Sequence, residues 1–256
     1  MLDVTPIPAF SDNYIWCARR RGENDAVVVD PGDGNAVLQA LAEHGLTLAG
    51  IIITHHHFDH TGGLDTLLAH TDVPVYGPHN EGIGQIKTRL SDGDRVTILG
   101  VEWQIIEVPG HTLDHIAFFN ADQQILFCGD TLFAGGCGRV FEGNPGMMLE
   151  SLDKLAALPP ETRVFCAHEY TMANLAFAAA VEPENEALQA RIRRDGDSRE
   201  RGEPTVPSTL SLELDTNPFL RCRAPSVAQQ MQARDGVDAA NPVAVFGAVR
   251  GWKDNF

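Results

Sequence analysis

The sequence predicts a layered α/β fold, with sheets inside and helices outside, followed by a smaller helical region. In the first half of the chain, short apolar runs rich in β-branched residues alternate with segments of helical spacing. In the middle, apolar runs follow one another without helices between them, and after about residue 171 the pattern becomes helical. A chain of 256 residues, 43% of them hydrophobic, can bury a sizeable core in such a fold.

The first half is predicted to alternate strands and helices. Residues 26–29 and 50–53 form apolar runs that end abruptly in polar turns, as buried strands do. Residues 36–42 and 63–68 carry apolar side chains at helical spacing. Since the polar residues follow the strands directly, we expect the chemistry of the protein at the strand ends.

The middle of the chain is predicted to form antiparallel strands, because its apolar runs have no helices between them. These runs are residues 95–99, 101–108, 115–119 and 124–128. The last strand is predicted near residues 163–166. The chain then becomes helical from about residue 171 and again over residues 184–194, before a polar loop at residues 195–204. We therefore place a domain boundary near residues 166–170.

The charge and composition of the chain limit the classes of partner that it is expected to bind. A formal charge of −16, from 35 acidic against 19 basic residues, repels phosphate backbones and acidic lipids, so neither nucleic acid nor a membrane is expected as partner. An anionic substrate would need a local basic patch. No apolar run of about 18 residues and no secretory signal is visible. The five cysteines form no C-x-x-C pair and are interpreted as reduced thiols, so the expected compartment is the cytoplasm.

The strongest motif is H-x-H-x-D-H, which runs from His55 to His60 directly after the strand predicted at residues 50–53. Burying several imidazoles and a carboxylate without partners is costly, so this density of lone pairs indicates metal binding. His55 and His57 point the same way, and Asp59 and His60 can face a second ion about 3.5–4 Å from the first. A purely structural zinc site is disfavoured, because such sites are usually closed and rich in cysteine.

Two metal ions need more ligands than this motif provides, since zinc takes three or four protein ligands per ion. His111, Asp130 and His168 each follow an apolar run and are the candidates. Taken singly, such residues are usually caps or surface groups. His56 is interpreted as a group behind the ligands or facing solvent, and His115 as an ordinary histidine.

The motifs T-H-H-H-x-D-H-x-G-G, P-G-H-T, G-D-T-L-F and H-E-Y resemble those of the metallo-β-lactamase superfamily. Within it, the chain is most similar to the glyoxalase II family, because T-N-P-F-L-R at residues 216–221 matches as well. The resemblance spans almost the whole chain. It implies a four-layer αββα sandwich as catalytic domain over residues 1–168, and a smaller C-terminal α-helical domain that binds substrate over residues 169–256.

The resemblance also implies that seven side chains bind two divalent metal ions. Zinc is expected, with iron or manganese as alternatives, because imidazole and carboxylate ligands suit all three. Asp59 and Asp130 are in addition the expected catalytic residues. One ion is assigned to His55, His57 and His111, the other to Asp59, His60 and His168, and Asp130 bridges both.

The glutathione part of the substrate is assigned, again by resemblance, to Arg139, Tyr170, Arg250 and Lys253. These residues supply the basic patch that the overall charge demands, although basic residues near a C-terminus are also common as a solvated tail. The family often has lysine and tyrosine where this chain has Arg139 and Phe141. Because arginine keeps the charge and can bind a carboxylate with two hydrogen bonds, we expect altered affinity and retained specificity.

The implied reaction is hydrolysis of S-(2-hydroxyacyl)glutathione thioesters, chiefly S-D-lactoylglutathione, to glutathione and D-lactate, the second step of methylglyoxal detoxification. A metal-activated hydroxide, oriented by Asp59, would be the nucleophile. The enzyme is expected to be a monomer whose partner is this small molecule. The alternatives are an iron-dependent glutathione persulfide dioxygenase with one metal and a metal-binding module without turnover. Both are disfavoured because all seven ligands are present.

Overall fold

A computed structural model describes residues 1–256, which fold into two compact units. The first unit comprises Met1–Glu107 and Asp114–Gly129, and the second comprises Val108–Leu113 and Asp130–Phe256. No helix in either unit is long and apolar enough to cross a membrane.

The first unit contains a six-stranded sheet whose strands lie in chain order. The first three strands pair antiparallel, and from the third onwards the pairs are parallel. The two N-terminal strands and the last two are additions to the strands predicted from sequence. The strands are β1 (Leu2–Ala9), β2 (Asn13–Arg20), β3 (Asp25–Val29), β4 (Thr47–Ile52), β5 (Val75–Pro78) and β6 (Thr88–Leu90).

Helix α1 (Gly34–His44) makes the crossover between the parallel strands β3 and β4. It begins at Asp33, whose carboxylate accepts hydrogen bonds from two backbone N–H groups of the first turn, and it ends at Gly45 in the left-handed conformation. Two short helices follow, α2 (Phe58–Thr61) and α3 (Leu64–Leu68). Apolar side chains of α1, α3 and the sheet form one core cluster, which confirms the predicted strand and helix alternation.

Four antiparallel strands complete the first unit, as predicted from their uninterrupted succession. They are β7 (Arg95–Ile98), β8 (Val101–Glu107), β9 (Ile116–Asn120) and β10 (Ile125–Gly129). Every residue of β9 and β10 is buried. Strand β10 therefore ends in the interior, immediately before Asp130.

The second unit is mainly helical. It opens on a short antiparallel hairpin, and an antiparallel pair of strands brings residues 163–166 against residues 208–209. The prediction that the strand at 163–166 is the last one was wrong, because a two-residue strand follows it. The elements are β11 (Leu132–Phe133), β12 (Gly136–Cys137), α4 (Pro145–Ala156), β13 (Arg163–Cys166), α5 (Thr171–Val181), α6 (Glu186–Glu200), β14 (Ser208–Thr209), α7 (Leu210–Thr216), α8 (Pro225–Asp235) and α9 (Pro242–Asp254).

The polar loop predicted from residue 195 begins only after Glu200, because α6 continues to that residue. The polar residues that suggested a loop are used inside the helix. Arg191 is fully buried, and its Nε donates to Asp195 Oδ2 at 3.2 Å, one helical turn further on. Asp195 is thereby buried on the inner face of α6, where a sequence pattern alone indicates exposure.

Candidate metal centre and substrate-binding residues

The histidine-rich loop after β4 is fixed by Asp30, which directly follows β3. Its carboxylate accepts hydrogen bonds from the backbone N–H and the hydroxyl of Thr54, both at 2.7 Å. Asp30 has a φ of 54°, in the left-handed region that costs a non-glycine residue energy. The second carboxylate oxygen also lies 3.1 Å from His60 Nδ1. Asp30 therefore connects both ends of the loop and leaves the Nε2 atom of His60 for a ligand.

The four candidate ligands of this loop form two pairs. His55 Nε2 and His57 Nδ1 lie 3.2 Å apart, and His60 Nε2 lies 3.4 Å from Asp59 Oδ2. The pairs adjoin each other, because the rings of His55 and His60 have centroids 4.0 Å apart. The ligand atoms within each pair, and those of His55 and His60, are close enough to share a metal ion. The spacing H-x-H-x-D-H thus concentrates nitrogen and oxygen atoms as the sequence predicts.

Two histidines that are not candidate ligands, His56 and His115, make contacts in this region. His56 Nδ1 lies 2.9 Å from Asp114 Oδ1, and Asn80 donates to the other oxygen of Asp114 at 2.7 Å. His56 is thus held by Asp114, and its role behind the ligands or facing solvent stays a prediction. His115, which the sequence analysis treats as ordinary, is fully buried and stacks on His55 with centroids 4.6 Å apart and planes 13° apart. It restricts the ring of a candidate ligand.

In the second unit, a single carboxylate oxygen lies between two imidazoles. Asp130 Oδ2 is 3.4 Å from His111 Nε2 and 3.3 Å from His168 Nε2. All three side chains are buried. A carboxylate oxygen that faces one nitrogen on each side has the position needed to bridge two cations.

A hydrogen bond at one ring nitrogen of His111 determines which of its two nitrogens can bind a metal. His111 Nδ1 lies 2.8 Å from the backbone carbonyl oxygen of Arg139. Because a carbonyl oxygen can only accept a hydrogen bond, Nδ1 is the donor, and the lone pair of the ring is therefore on Nε2. The chain passes very close at this point. A Cβ atom on Gly138 would lie 1.9 Å from the carbonyl oxygen of Asp130, so only glycine fits there. Gly138 therefore packs against the carbonyl of Asp130, and the carbonyl of Arg139 fixes the ring of His111.

Tyr170 covers the other histidine of this group. Its ring stacks on His168 with centroids 4.7 Å apart and planes 6° apart, and Phe133 contacts both rings edge-on. Tyr170 is 38% exposed, so part of its side chain is accessible to a ligand. The same side chain can therefore orient a metal ligand and contact a substrate.

Two of the three predicted basic residues bind Asp254 near the C-terminus. Asp254 Oδ1 accepts from Arg250 Nε at 3.1 Å and from Arg139 Nε at 3.3 Å. Arg139 is 55% exposed, whereas Arg250 is buried and also donates to the carbonyl of Cys137 at 3.0 Å. Lys253 Nζ donates to the carbonyl of Ala173 at 3.2 Å. The patch thus combines one buried and one exposed guanidinium with an ammonium group.

Burial keeps the thiols of Cys137 and Cys166 from acting in this chemistry. All five are buried and free of disulfides. Burial raises the pKa of the Cys137 thiol to about 11 and that of the Cys166 thiol to about 12. Both thiols are therefore protonated near neutral pH and offer neither a thiolate ligand nor a nucleophile.

The structure brings the sequence-predicted residues together within each unit. His55, His57, Asp59 and His60 adjoin one another in the first unit, and His111, Asp130 and His168 in the second. Sequence reasoning missed Asp30, Asn13 and Asp254. Asn13 Nδ2 donates to Asp59 Oδ2 at 2.9 Å. Asp254 had a usable signal, since it lies one helical turn after Arg250, and so had Asp30, since it directly follows the apolar run at residues 26–29.

Two family descriptions match the chain and together cover most of it. Residues 14–168 match the metallo-beta-lactamase superfamily, and residues 169–256 match the family described as hydroxyacylglutathione hydrolase C-terminus. Among curated relatives, the hydroxyacylglutathione hydrolase of Hahella chejuensis is 50% identical over 258 residues, and that of Pseudomonas aeruginosa has the same identity. Both alignments cover the whole of this chain and the whole of the relative.

Solved structures show the same fold. The B3 metallo-beta-lactamase BLEG-1 has a TM-score of 0.64 at 23% identity, covering 86% of this chain and 99% of that one. ETHE1 from Myxococcus xanthus has a TM-score of 0.59 at 31% identity and covers 66% of this chain and 76% of that one. TTHA1623, solved in a di-iron-bound form, has a TM-score of 0.59 at 27% identity, with 85% and 100% covered. The predicted metallo-β-lactamase fold with a C-terminal helical region is thereby confirmed.

Proposed function

Since the chain belongs to the hydroxyacylglutathione hydrolase family of the metallo-β-lactamase superfamily, we propose that it hydrolyses S-(2-hydroxyacyl)glutathione thioesters, chiefly S-D-lactoylglutathione, to glutathione and a 2-hydroxy acid. This proposal rests on the match to hydroxyacylglutathione hydrolases over the full length of the chain. A protein that shared only the metal loop would not match over residues 169–256, which are specific to this family. In our proposal this C-terminal part binds the glutathione moiety.

The donor set fits two divalent cations. It consists of five imidazoles and two carboxylates, in the geometry described for each unit. Asp130 would bridge both ions, which is supported by the position of its Oδ2 atom between His111 and His168. The remaining ligands would be His55, His57 and His111 for one ion and Asp59, His60 and His168 for the other.

Zinc is the metal we propose, because a site of imidazoles and carboxylates is typical of hydrolytic zinc. Iron suits the same ligands, and TTHA1623 was solved with two irons. The buried, protonated thiols of Cys137 and Cys166 do not compete for the metal.

All five cysteines are free thiols, which supports a reducing compartment. We therefore propose that the enzyme acts in the cytoplasm. We also propose that it is a monomer.

When bound, the two ions would lower the pKa of a shared water from about 15.7 to roughly 7 and polarise the thioester carbonyl. The chain's own residues orient the reaction. Asp59 can accept a hydrogen bond from the attacking water, and Asn13 holds its carboxylate in place at 2.9 Å. The sulfur of glutathione can leave as a thiolate without a proton donor, because thiols are fairly acidic, with pKa values of about 8.5. No serine or cysteine nucleophile is required.

The glutathione carboxylates would bind to the basic patch formed by Arg139, Arg250 and Lys253, and Tyr170 is the fourth residue that we assign to this part of the substrate. Arg250 is held by Cys137 and Asp254, so it presents a fixed charge. Arg139 is half-exposed and shares Asp254 with it, so its guanidinium can turn towards a ligand. The patch supplies the positive charge that an anionic substrate needs on a protein of net charge −16.

We expect Arg139→Ala to raise KM for S-D-lactoylglutathione by about five- to tenfold and to change kcat by less than about twofold. A charge-assisted hydrogen bond contributes roughly 1.5–3 kcal/mol when buried, and the exposure of Arg139 reduces this. Steady-state kinetics measure both constants. Arg201→Ala is the matched control, because Arg201 is exposed and its side chain pairs with Glu203 and Ser198, both within three residues of it in the chain. Equal KM values in the two variants would remove Arg139 from the substrate site.

Lys253 predicts a pH dependence of substrate binding. Its partial burial, and to a smaller extent the positive charge of Arg250, lower the pKa of the ammonium group. The group therefore loses its charge at a lower pH than an ordinary lysine. KM is expected to rise as the pH is raised from neutral into the alkaline range, and to do so at a lower pH than an ordinary lysine would cause, since a neutral amine attracts a carboxylate weakly. In Lys253→Arg the guanidinium stays charged and this rise should vanish. An identical rise in both proteins would assign it to another group.

Hydrolysis of S-D-lactoylglutathione by the purified full chain tests the proposed function directly. We expect turnover that stops on chelation and returns when metal is added, and much slower hydrolysis of a lactoyl thioester that lacks the glutathione peptide. A protein with one iron per chain that consumes oxygen with glutathione persulfide, and does not hydrolyse the thioester, would be a dioxygenase instead. Metal binding without either reaction would indicate a module without turnover.

A further inference from the structure

The hairpin formed by β11 and β12 joins two parts of the proposed site. It begins two residues after Asp130 and ends two residues before Arg139, whose carbonyl holds His111. Each strand has only two residues, and the two pair with nothing but each other. A two-stranded hairpin of this length is unstable by itself in water. Its conformation must therefore be imposed by its surroundings.

Four consecutive residues at the tip of this hairpin are held by side chains of the C-terminal helices. Asn217 Nδ2, directly after α7, lies 3.2 Å from the carbonyl of Phe133 and 2.9 Å from that of Gly136. Asn174 of α5 donates to the carbonyl of Ala134 at 3.1 Å, and Glu213 of α7 accepts from the N–H of Gly135 at 2.8 Å. Arg250 holds the next carbonyl, that of Cys137.

These holding side chains are buried and fixed by one another. Glu213 is fully buried, and its charge is compensated by Arg191 Nη2 at 2.7 Å. Asn217 is also fully buried, and its Nδ2 lies 3.1 Å from Glu213 Oε2 while its Oδ1 accepts from the N–H of Phe219. In such surroundings each hydrogen bond is strong, and a lost partner is not replaced by water.

The hairpin also fits its surroundings closely. A Cβ atom on Gly136 would lie 2.5 Å from Asn174 Nδ2. On Gly135, which has a φ of 68°, a Cβ atom would lie 2.9 Å from Leu175. Both glycines are thus pressed against α5, and the hairpin has no room to shift on that side. A shift of the hairpin would have to move Asp130 or Arg139 with it.

We propose that Asn217 is a positioning residue for the metal centre: through the β11–β12 hairpin it fixes the segment that carries Asp130 and the carbonyl that orients His111. The inference rests on the proposed function, since it assumes the proposed metal ligands. It gives the C-terminal helices a role in metal binding and in the chemical step, beyond their proposed role in binding glutathione.

The test compares Asn217→Ala with Asn185→Ala in the full chain. Asn185 is the same residue type in the same unit, caps α6 and makes no contact with the hairpin. Both variants should lose thermal stability, because each removes hydrogen bonds. Only Asn217→Ala should bind Zn²⁺ more weakly, by about tenfold in competition with a chromophoric chelator, because groups behind metal ligands typically contribute 10- to 100-fold. Its kcat should fall by a similar factor, with KM within about threefold of the wild type.

Asn174→Ala is the second variant, because it removes only one hydrogen bond to the hairpin and is therefore expected to fold even if Asn217→Ala does not. We expect a smaller loss of zinc affinity, about threefold, again with a lower kcat. Zinc affinity equal to that of Asn185→Ala in every folded variant would overturn the inference and leave the proposed function intact. Zinc binding without thioester hydrolysis in the wild type would overturn the proposed function, while the affinities would still decide the inference.

Discussion

Asp130→Asn is expected to lower kcat for S-D-lactoylglutathione by about a thousandfold or more, the largest effect of any single substitution proposed for this chain. Asparagine has nearly the same shape but no negative charge, and its amide nitrogen cannot bind a cation. Since Asp130 Oδ2 faces both His111 and His168, its loss should weaken the binding of both ions. The metal content per chain, measured after dialysis, should fall together with the rate.

Asp122→Asn is the control for this prediction. Asp122 is exposed in the turn between β9 and β10, so the same chemical change there should leave rate and metal content unaltered. If Asp130→Asn kept two ions and most of the activity, Asp130 would be an ordinary buried aspartate and the proposed bridge would be wrong.

Asp59→Asn has the second largest expected effect, a fall in kcat of about a hundredfold with much of the metal retained. The remaining proposed ligands can still hold the ions, whereas the amide nitrogen can no longer accept a hydrogen bond from the attacking water. Asn13 would also lose the carboxylate to which it donates at 2.9 Å. Kinetics and metal analysis on the same sample separate the two roles of this residue.

Asp65→Asn is the matched control, since Asp65 is exposed and its carboxylate accepts a hydrogen bond from Gln85. A loss of metal in Asp59→Asn that fully accounts for the loss of rate would show that Asp59 acts as a ligand only. Unchanged kcat would remove it from the reaction altogether.

Local patterns were sufficient for much of the fold. The alternation of apolar runs and helical spacing located β3, α1, β4 and α3, and the uninterrupted runs located the antiparallel strands from β7 to β10. The strand β1 was missed, since Pro6 and Pro8 interrupt its pattern, and β11 and β12 are too short to give one. The end of α6 was misplaced because burial of Asp195 depends on Arg191, which no hydropathy pattern reveals.

The candidate site was predictable for a different reason. His55, His57, Asp59 and His60 lie within six residues, and each of the other candidate ligands follows an apolar run. The hydrogen bonds that orient them could not be found in this way. Asp30 acts on Thr54 from 24 positions away, and Glu213 acts on Gly135 from 78. Such hydrogen bonds exist only once the chain is folded.

The most direct test is a titration of the metal-free full chain with Zn²⁺, in which hydrolysis of S-D-lactoylglutathione is followed against the number of ions bound per chain. We expect full activity, lost again on chelation, only when about two ions are bound, because both proposed sets of ligands and their shared Asp130 are needed. Full activity with one ion, or hydrolysis that is indifferent to metal, would contradict it.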